Sequence, residues 1–229
     1  MIIISIWMPQ GALPLTFVHQ PFTRKKIVRL RKTDFTEMLI EANDMDRKDF
    51  RRWVFYPGMG FTSPDKWWGD LGRRDFPHEG VDFCLYETLS GKTLQLGPHT
   101  RIPAIQDGLV RHIFPDYLGK AVVFEHEPTA DEKSRMISIY AHTVPVKHIK
   151  AGVFLKQGDI IATIADTCRS KAKILPHLHF TLGQASTDIN YGRFVWNDMR
   201  NPDKVILLNP LAVIDGPYQE METRSAQGI

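Results

Sequence analysis

Two histidines one residue apart, His177 and His179, stand in the apolar run KILPHLHFTLG, residues 173–183. A β-strand turns successive side chains to opposite faces. Read as a strand, the run puts His177, His179 and Thr181 on one open face and sends Leu178, Phe180 and Leu182 into a core. In a helix, residues two apart point about 200° apart, so only a strand lets the two rings act together. The stretch PHEGVDFCLY (77–86) offers His78 and Asp82 on one strand face. Gly80 lies between them, where a missing side chain leaves room for an ion or a substrate, and Val81, Phe83 and Leu85 form the buried face. A third run, ISIYAHTVPV, puts Ser138, Tyr140 and His142 on one face and Ile137, Ile139 and Ala141 on the other. Two imidazoles, one carboxylate and a water make an ordinary tetrahedral zinc set for catalysis, whereas structural zinc is more often closed by thiolates. An isolated HxH or HxxxD pattern is common by chance. The specific signal is HxGxD, then YAH, then HLH, each on a β-prone segment.

These groups need a sheet to hold them. From about residue 76 to 215, short β-prone runs recur between Gly, Pro and Asp: GVDFCLY, LVRHIF, KAVVFEHE, MISIYAH, GDIIATIAD and HLHFTL. Strong helical periodicity is absent, so the expected fold is mainly β, an antiparallel sheet or sandwich-like catalytic domain with a groove. An N-terminal extension with little helix precedes it. In that extension TDFTEMLIEAN predicts one short helix capped by Thr33 or Asp34, with Leu39 and Ile40 buried, and KIVRLR reads as a strand. The aromatic stretch WVFYPGMGFTSPDKWWGDLG reads as ordered loops, with Trp53, Trp67 and Trp68 packing the extension onto the sheet. The expected division is an extension over 1–70, a catalytic domain over 71–216 and a polar, frayed tail over 217–229.

Bulk composition sets limits. The chain has 229 residues, 43% hydrophobic, enough for one good core, and a net charge of +3 that is too mild to call for nucleic acid. The basic runs at 24–32 come without a reader motif and read as a solvated strand edge. Cys84 and Cys168 form no CxxC pair, which excludes a cysteine zinc knuckle; they read as two buried free thiols or a single disulfide. MIIISIWMPQGALPLTFV carries no charge, but it lacks a basic residue before the apolar run and a small-x-small cleavage site, so no clear signal peptide emerges. Pro9 and Pro14 argue against a spanning helix there, and no other segment could span a bilayer. His19, His99, His112, His126 and His148 match no motif and are read as surface or loop residues, and Arg73 and Arg74 as exposed.

The motifs together resemble the lysostaphin-type zinc metalloendopeptidases, which cut peptide bonds in bacterial cell walls. HEGVD (78–82) looks like the family's HxGxD, TRIPAIQDGLV (100–110) like its strand and turn, and YAH (140–142) like its histidine strand. IKAGVFLKQGDIIATIADT (149–167) is similar to its Gly-punctuated hairpin, PHLHF (176–180) to its most recognisable motif, and NPLAVI (209–214) to its closing segment. The resemblance covers roughly residues 70–215. It implies one Zn²⁺ ion held by His78, Asp82 and His179, with His142 and His177 facing a bound water and the scissile carbonyl. It also implies a peptidoglycan peptide as substrate and a site of action in the cell envelope, periplasm or outside the cell. The family's small S-T-G stretch before HxH is CRSKAKILP here, and the hairpin EPTADEKSRM (127–136) is longer and more charged than the pattern. Two other classes compete with this one. A non-catalytic scaffold or activator on the same fold would have lost metal ligands, and here the full set is present. A biotinyl or lipoyl carrier would display a lysine at a tight turn, which this chain lacks.

Overall fold

The punctuated β-prone runs become antiparallel strands because each carries apolar residues at alternate positions and a turn residue at its end. The structure is a computed structural model that describes residues 32–126, 134–168 and 174–222. The N-terminal run, the KIVRLR strand, most of the EPTADEKSRM tip and the middle of CRSKAKILP lie outside the described residues.

The chain opens with helix α1 (Phe35–Ala42) and strand β1 (Phe50–Phe55). Strands β2 (Val81–Phe83), β3 (Leu85–Thr88), β4 (Thr93–Gln95), β5 (Arg101–Pro103), β6 (Gly108–Pro115) and β7 (Lys120–His126) follow. Then come β8 (Ser134–Pro145), β9 (Phe154–Leu155), β10 (Ile160–Ile164), β11 (Leu178–Ser186), α2 (Trp196–Met199), β12 (Val205–Leu208) and β13 (Tyr218–Glu220). The larger, nine-stranded sheet runs β12-β11-β8-β7-β6-β9, with β10 joining β8 to β5 and β2 added to β11. A four-stranded sheet, β13-β1-β3-β4, lies beside it. The fold is thus mostly β, with open antiparallel sheets and few helices, as the sequence predicts.

The large sheet is buried on both faces. On one side Tyr140, Phe124, Leu178 and Phe180 meet Phe35, Trp53 and Phe83 in the main core. On the other, Ile137, Ile139 and Ala141 meet Phe194, Met199 and Val205 from the segment around α2 and β12. Residues on either side of position 70 share the main core. Trp53 of β1 pairs with Tyr86 of β3 and stacks edge-on against Phe83 at 5.1 Å. The start of the polar tail is ordered rather than frayed: Tyr218, Gln219 and Glu220 pair in parallel with Trp53, Val54 and Phe55.

Helix α1 buries Leu39 and Ile40 as expected, but its cap comes from elsewhere. Neither Thr33 nor Asp34 caps it through a side chain; the Thr36 N–H donates to Asp215 Oδ1 at 2.9 Å instead. A residue 179 positions downstream satisfies one of the helix's free amides.

A candidate metal centre with two flanking histidines

Strand β11 places His179 directly opposite Asp82 of β2 on one side and Ala141 of β8 on the other. The apolar face of β11 enters the core through Leu178, Phe180 and Leu182, as the alternation predicts. The histidine face is not open, however: His177 is 1% exposed and His179 5%. Trp67 stands edge-on over the His177 ring at 5.0 Å and Trp196 over the His179 ring at 5.5 Å.

His78 departs from the expected strand. It sits in the turn before β2, held on both backbone sides: its N–H donates to Ser63 O at 3.0 Å, and its carbonyl accepts the Thr62 N–H at 2.9 Å. The Asp82 N–H donates to Met59 O at 3.0 Å. Residues 59–63 therefore fix both HxGxD side chains. Gly80 has a role other than leaving room for an ion. A Cβ there would lie 2.2 Å from the Phe180 carbonyl oxygen, so the missing side chain lets the turn close onto β11.

His142 also departs from simple alternation. Register puts Tyr140 opposite Phe180 and Ser138 opposite Leu182, on the core face and not on the histidine face. Strict alternation would send His142 to that core side as well. Instead the backbone takes φ +61° at His142, where β8 leaves β11 and pairs with β10, and the pairing with β7 shifts register. This bulge turns the His142 ring across to the site, 4.8 Å from the ring of His177 and 5.6 Å from that of His179.

Three donor atoms converge. His78 Nε2 and Asp82 Oδ1 are 3.1 Å apart, His179 Nδ1 and Asp82 Oδ1 2.9 Å, and the two ring nitrogens 3.0 Å. Their remaining atoms are held by protein. His78 Nδ1 lies 2.9 Å from the Gly60 carbonyl and His179 Nε2 3.0 Å from Thr181 Oγ1. In the tautomer that donates those N–H groups outward, each ring turns a lone pair inward; a doubly protonated ring donates inward to Asp82 as well. Asp82 Oδ2 accepts the Trp67 indole N–H at 2.6 Å and lies 3.6 Å from an Arg74 Nη2. Burial alone would raise the Asp82 carboxyl. The imidazoles of His78 and His177 and hydrogen bonds from His179 and His78 outweigh it, and the group lies well below the usual carboxylate range. Two lone pairs and a carboxylate oxygen buried this close together repel unless a positive charge lies among them. The donor set therefore suits a divalent cation of the imidazole-preferring kind. These three residues form the one group that could hold a metal ion among the described residues.

The flanking histidines are tied differently. His177 Nδ1 lies 2.7 Å from the Leu175 carbonyl, and its Nε2 is 3.9 Å from Asp82 Oδ1. Burial drives its pKa down to about 3, with Asp82 opposing the shift, so the ring is neutral. His142 Nδ1 lies 3.3 Å from Asp116 Oδ2, and that same oxygen accepts the His142 backbone N–H at 2.6 Å. Burial would raise Asp116, but contacts with His142 overcome it and hold the carboxyl at about 2.

Sequence reasoning missed Trp67, Arg74 and Asp116. Arg74 is only partly exposed, its guanidinium bonded to the Asp65 and Gly58 carbonyls. The indole at 67 and the carboxylate at 116 belong to residue types whose default use is packing and turn formation, and their spacing to the histidines carries no motif. His126, read as a surface residue, is 5% exposed, with Nε2 3.0 Å from Ser138 Oγ. His99 and His148 are exposed and His112 is half-buried. Cys84 is buried against the Pro176 carbonyl, its thiol pushed up by burial, and Cys168 is exposed; both are free.

An antiparallel sheet thus carries a buried His-Asp-His donor set that could hold a metal ion, with two more imidazoles beside it. Residues 87–191 match peptidase family M23, the family that the chain's lysostaphin-like motifs resemble. The match takes in His142, His177 and His179, while His78 and Asp82 precede it. Two solved structures are also similar. One, from Pseudomonas aeruginosa and assigned to peptidase M23, is 26% identical with a TM-score of 0.33; the likeness covers 56% of this chain and 48% of that one. The other is a mutant catalytic domain of the prophage-encoded M23 protein EnpA from Enterococcus faecalis. It is 20% identical with a TM-score of 0.35, over 63% of this chain and 91% of that one. No curated protein matches the chain. The family supports a peptidase-type function.

Proposed function

We propose that this protein is a zinc-dependent endopeptidase that hydrolyses peptide bonds in the stem peptides or cross-links of bacterial peptidoglycan. The observation that carries the metal part is the mutual approach of His78 Nε2, Asp82 Oδ1 and His179 Nδ1 to 2.9–3.1 Å, each on a side chain fixed from behind. These residues would hold the ion. Bound zinc supplies Lewis acidity toward a carbonyl and brings the pKa of a coordinated water from about 15.7 toward 7. The rest of the chemistry belongs to the chain. His177 has Nδ1 on the Leu175 carbonyl, and His142 Nδ1 lies 3.3 Å from Asp116 Oδ2 without an aligned hydrogen bond, which leaves Nε2 of each ring for the reaction. A neutral ring there takes the proton of the attacking water and later delivers it to the leaving amine. A protonated one stabilises the oxyanion. Trp67 and Trp196 cover the rings and limit water around them.

The substrate reading rests on the family resemblance, and with it goes action in the cell envelope or outside the cell. Among the described residues no helix is long and apolar enough to cross a membrane. The test is elemental analysis of the purified protein, then mass spectrometry of muropeptides incubated with and without a chelator. One zinc per chain and chelator-sensitive cleavage are expected. A metal-free protein, or a zinc protein that leaves every muropeptide intact, would favour the scaffold or activator reading. Replacing Asp82 or His179 by Ala is expected to abolish zinc retention together with activity. Replacing His142 or His177 by Ala is expected to abolish activity with zinc still bound, and loss of metal from those variants would overturn the division of roles.

A further inference from the structure

We propose that Asp116 is a positioning residue that holds His142 in its reactive place, so that the turn between β6 and β7 takes part in catalysis without touching substrate. The inference rests on the peptidase reading and deepens it. Asp116 follows β6, and its side chain is fully buried although the turn lies at the surface. Oδ1 accepts the Leu118 N–H at 2.8 Å and the Gly119 N–H at 2.6 Å, which locks the carboxylate to its own turn. Oδ2 reaches 26 residues along the chain to accept the His142 N–H at 2.6 Å, and it lies 3.3 Å from His142 Nδ1.

That second oxygen acts at the one point of β8 where the backbone is strained. A non-Gly residue at φ +61° is uncommon within a strand, even for histidine, which enters this region more readily than most, and such a conformation persists where its surroundings hold it. Without the bulge, alternation would direct the ring to the core side, where Tyr140 packs, away from His177 and His179. The carboxylate selects the bulged conformer through the backbone N–H. It also attracts Nδ1 of the ring, which leaves Nε2 for the site. Because Oδ2 is already aligned on the backbone donor, the ring contact is electrostatic rather than an aligned hydrogen bond. Gly119 makes the approach of the turn possible: a Cβ there would lie 2.7 Å from the Thr143 carbonyl oxygen. The turn is thus pressed against β8 beside the residue it positions.

The experiment is the Asp116→Asn variant, loaded with zinc and assayed on a muropeptide that the wild-type protein cleaves. Asn keeps one oxygen for the Leu118 and Gly119 amides but sets an NH₂ group against the His142 N–H. Zinc content is expected to stay at the wild-type level and KM to stay within about threefold, while kcat falls about 100-fold, the scale of one misplaced acid–base group. Asp116→Glu keeps the charge one methylene further out and is expected to lose about tenfold, a partial rescue. A crystal structure of the Asn variant is expected to show His142 out of the positive-φ conformation or its ring turned from His177. Unchanged kcat, or a lowered melting temperature with kcat intact, would reduce Asp116 to a turn cap and overturn the proposal. So would an undisturbed His142. Should the wild-type protein cleave nothing, the peptidase reading falls, and the crystallographic comparison still decides whether Asp116 positions His142.

Discussion

At the scale of single residues, the donor set depends on a side chain that no motif marks. The Trp67 indole donates a charge-assisted hydrogen bond to Asp82 Oδ2 at 2.6 Å and so turns Oδ1 toward the two imidazoles. A neutral donor on a buried carboxylate contributes about 1.5–3 kcal/mol. Partners of metal ligands typically change metal affinity or activity by about 10–100-fold when removed. Trp67→Phe is therefore expected to raise the zinc Kd by about 10–100-fold, read by competition with a chromophoric chelator, while kcat at saturating zinc stays within a few-fold. Unaltered affinity would show that the indole only packs. Four of the five residues that gather here were legible because histidines spaced two apart, and a His-Asp pair spaced four apart, are informative patterns in themselves; His142 was named from its YAH strand. Trp67 and Asp116 were not legible. Each acts through a partner 15 or 26 positions away, and such pairings appear only once the chain has folded.

At the scale of elements, period two was readable and register was not. The alternation of β11 predicts which residues enter the core, and they do. The same rule misplaces Tyr140 and Ser138 relative to the histidines, because a bulge at His142 shifts the phase within a single strand. The turn before β2 gives another case. Gly80 reads as vacant space in sequence, yet in the fold it is the point of closest approach between HxGxD and β11. Gly80→Ala would drive a Cβ to 2.2 Å from the Phe180 carbonyl oxygen, a clash with backbone that only separation of β2 from β11 relieves. The expected loss is at least about 2 kcal/mol in chemical denaturation, with weaker zinc binding because Asp82 moves with β2. A variant as stable as the parent would show that the turn has slack. Helix α1 was legible as a helix but not in its cap, since a cap from Asp215 leaves no local signature. Asp215→Ala is expected to cost about 1 kcal/mol in the same assay, and Asp34→Ala much less.

At the scale of the whole molecule, the two sheets share one core, and burial in it shifts the pH at which a titratable group takes up its proton. The main core joins β1, β3, β8 and β11, and the loops from residues 57 to 76 tie that core to the donor set. The aromatic, Gly- and Pro-rich texture of that stretch predicted ordered loops, which is what Trp67 and Arg74 require. What the stretch holds in place could not be read before its contacts were known. His126 lies at the far end of this packing, 5% exposed, with Nε2 on Ser138 Oγ at 3.0 Å and Nδ1 3.4 Å from the Asp107 carbonyl. Burial lowers its pKa from 6.5 to about 4, against a smaller raising effect of the Asp107 carbonyl. The unfolded chain thus takes up this proton near pH 6.5 and the folded chain only near 4, so between those values the unfolded state binds more protons. Stability from this group is complete above pH 6.5 and is lost as pH falls toward 4, by about 3 kcal/mol in all. Urea midpoints measured at pH 7, 5.5 and 4.5 are expected to decline. His126→Gln, which keeps a hydrogen-bonding group and does not titrate, is expected to decline less steeply by about one proton. Parallel declines in the two proteins would mean that the carboxylates and the site histidines govern acid stability and that His126 titrates as an exposed residue does.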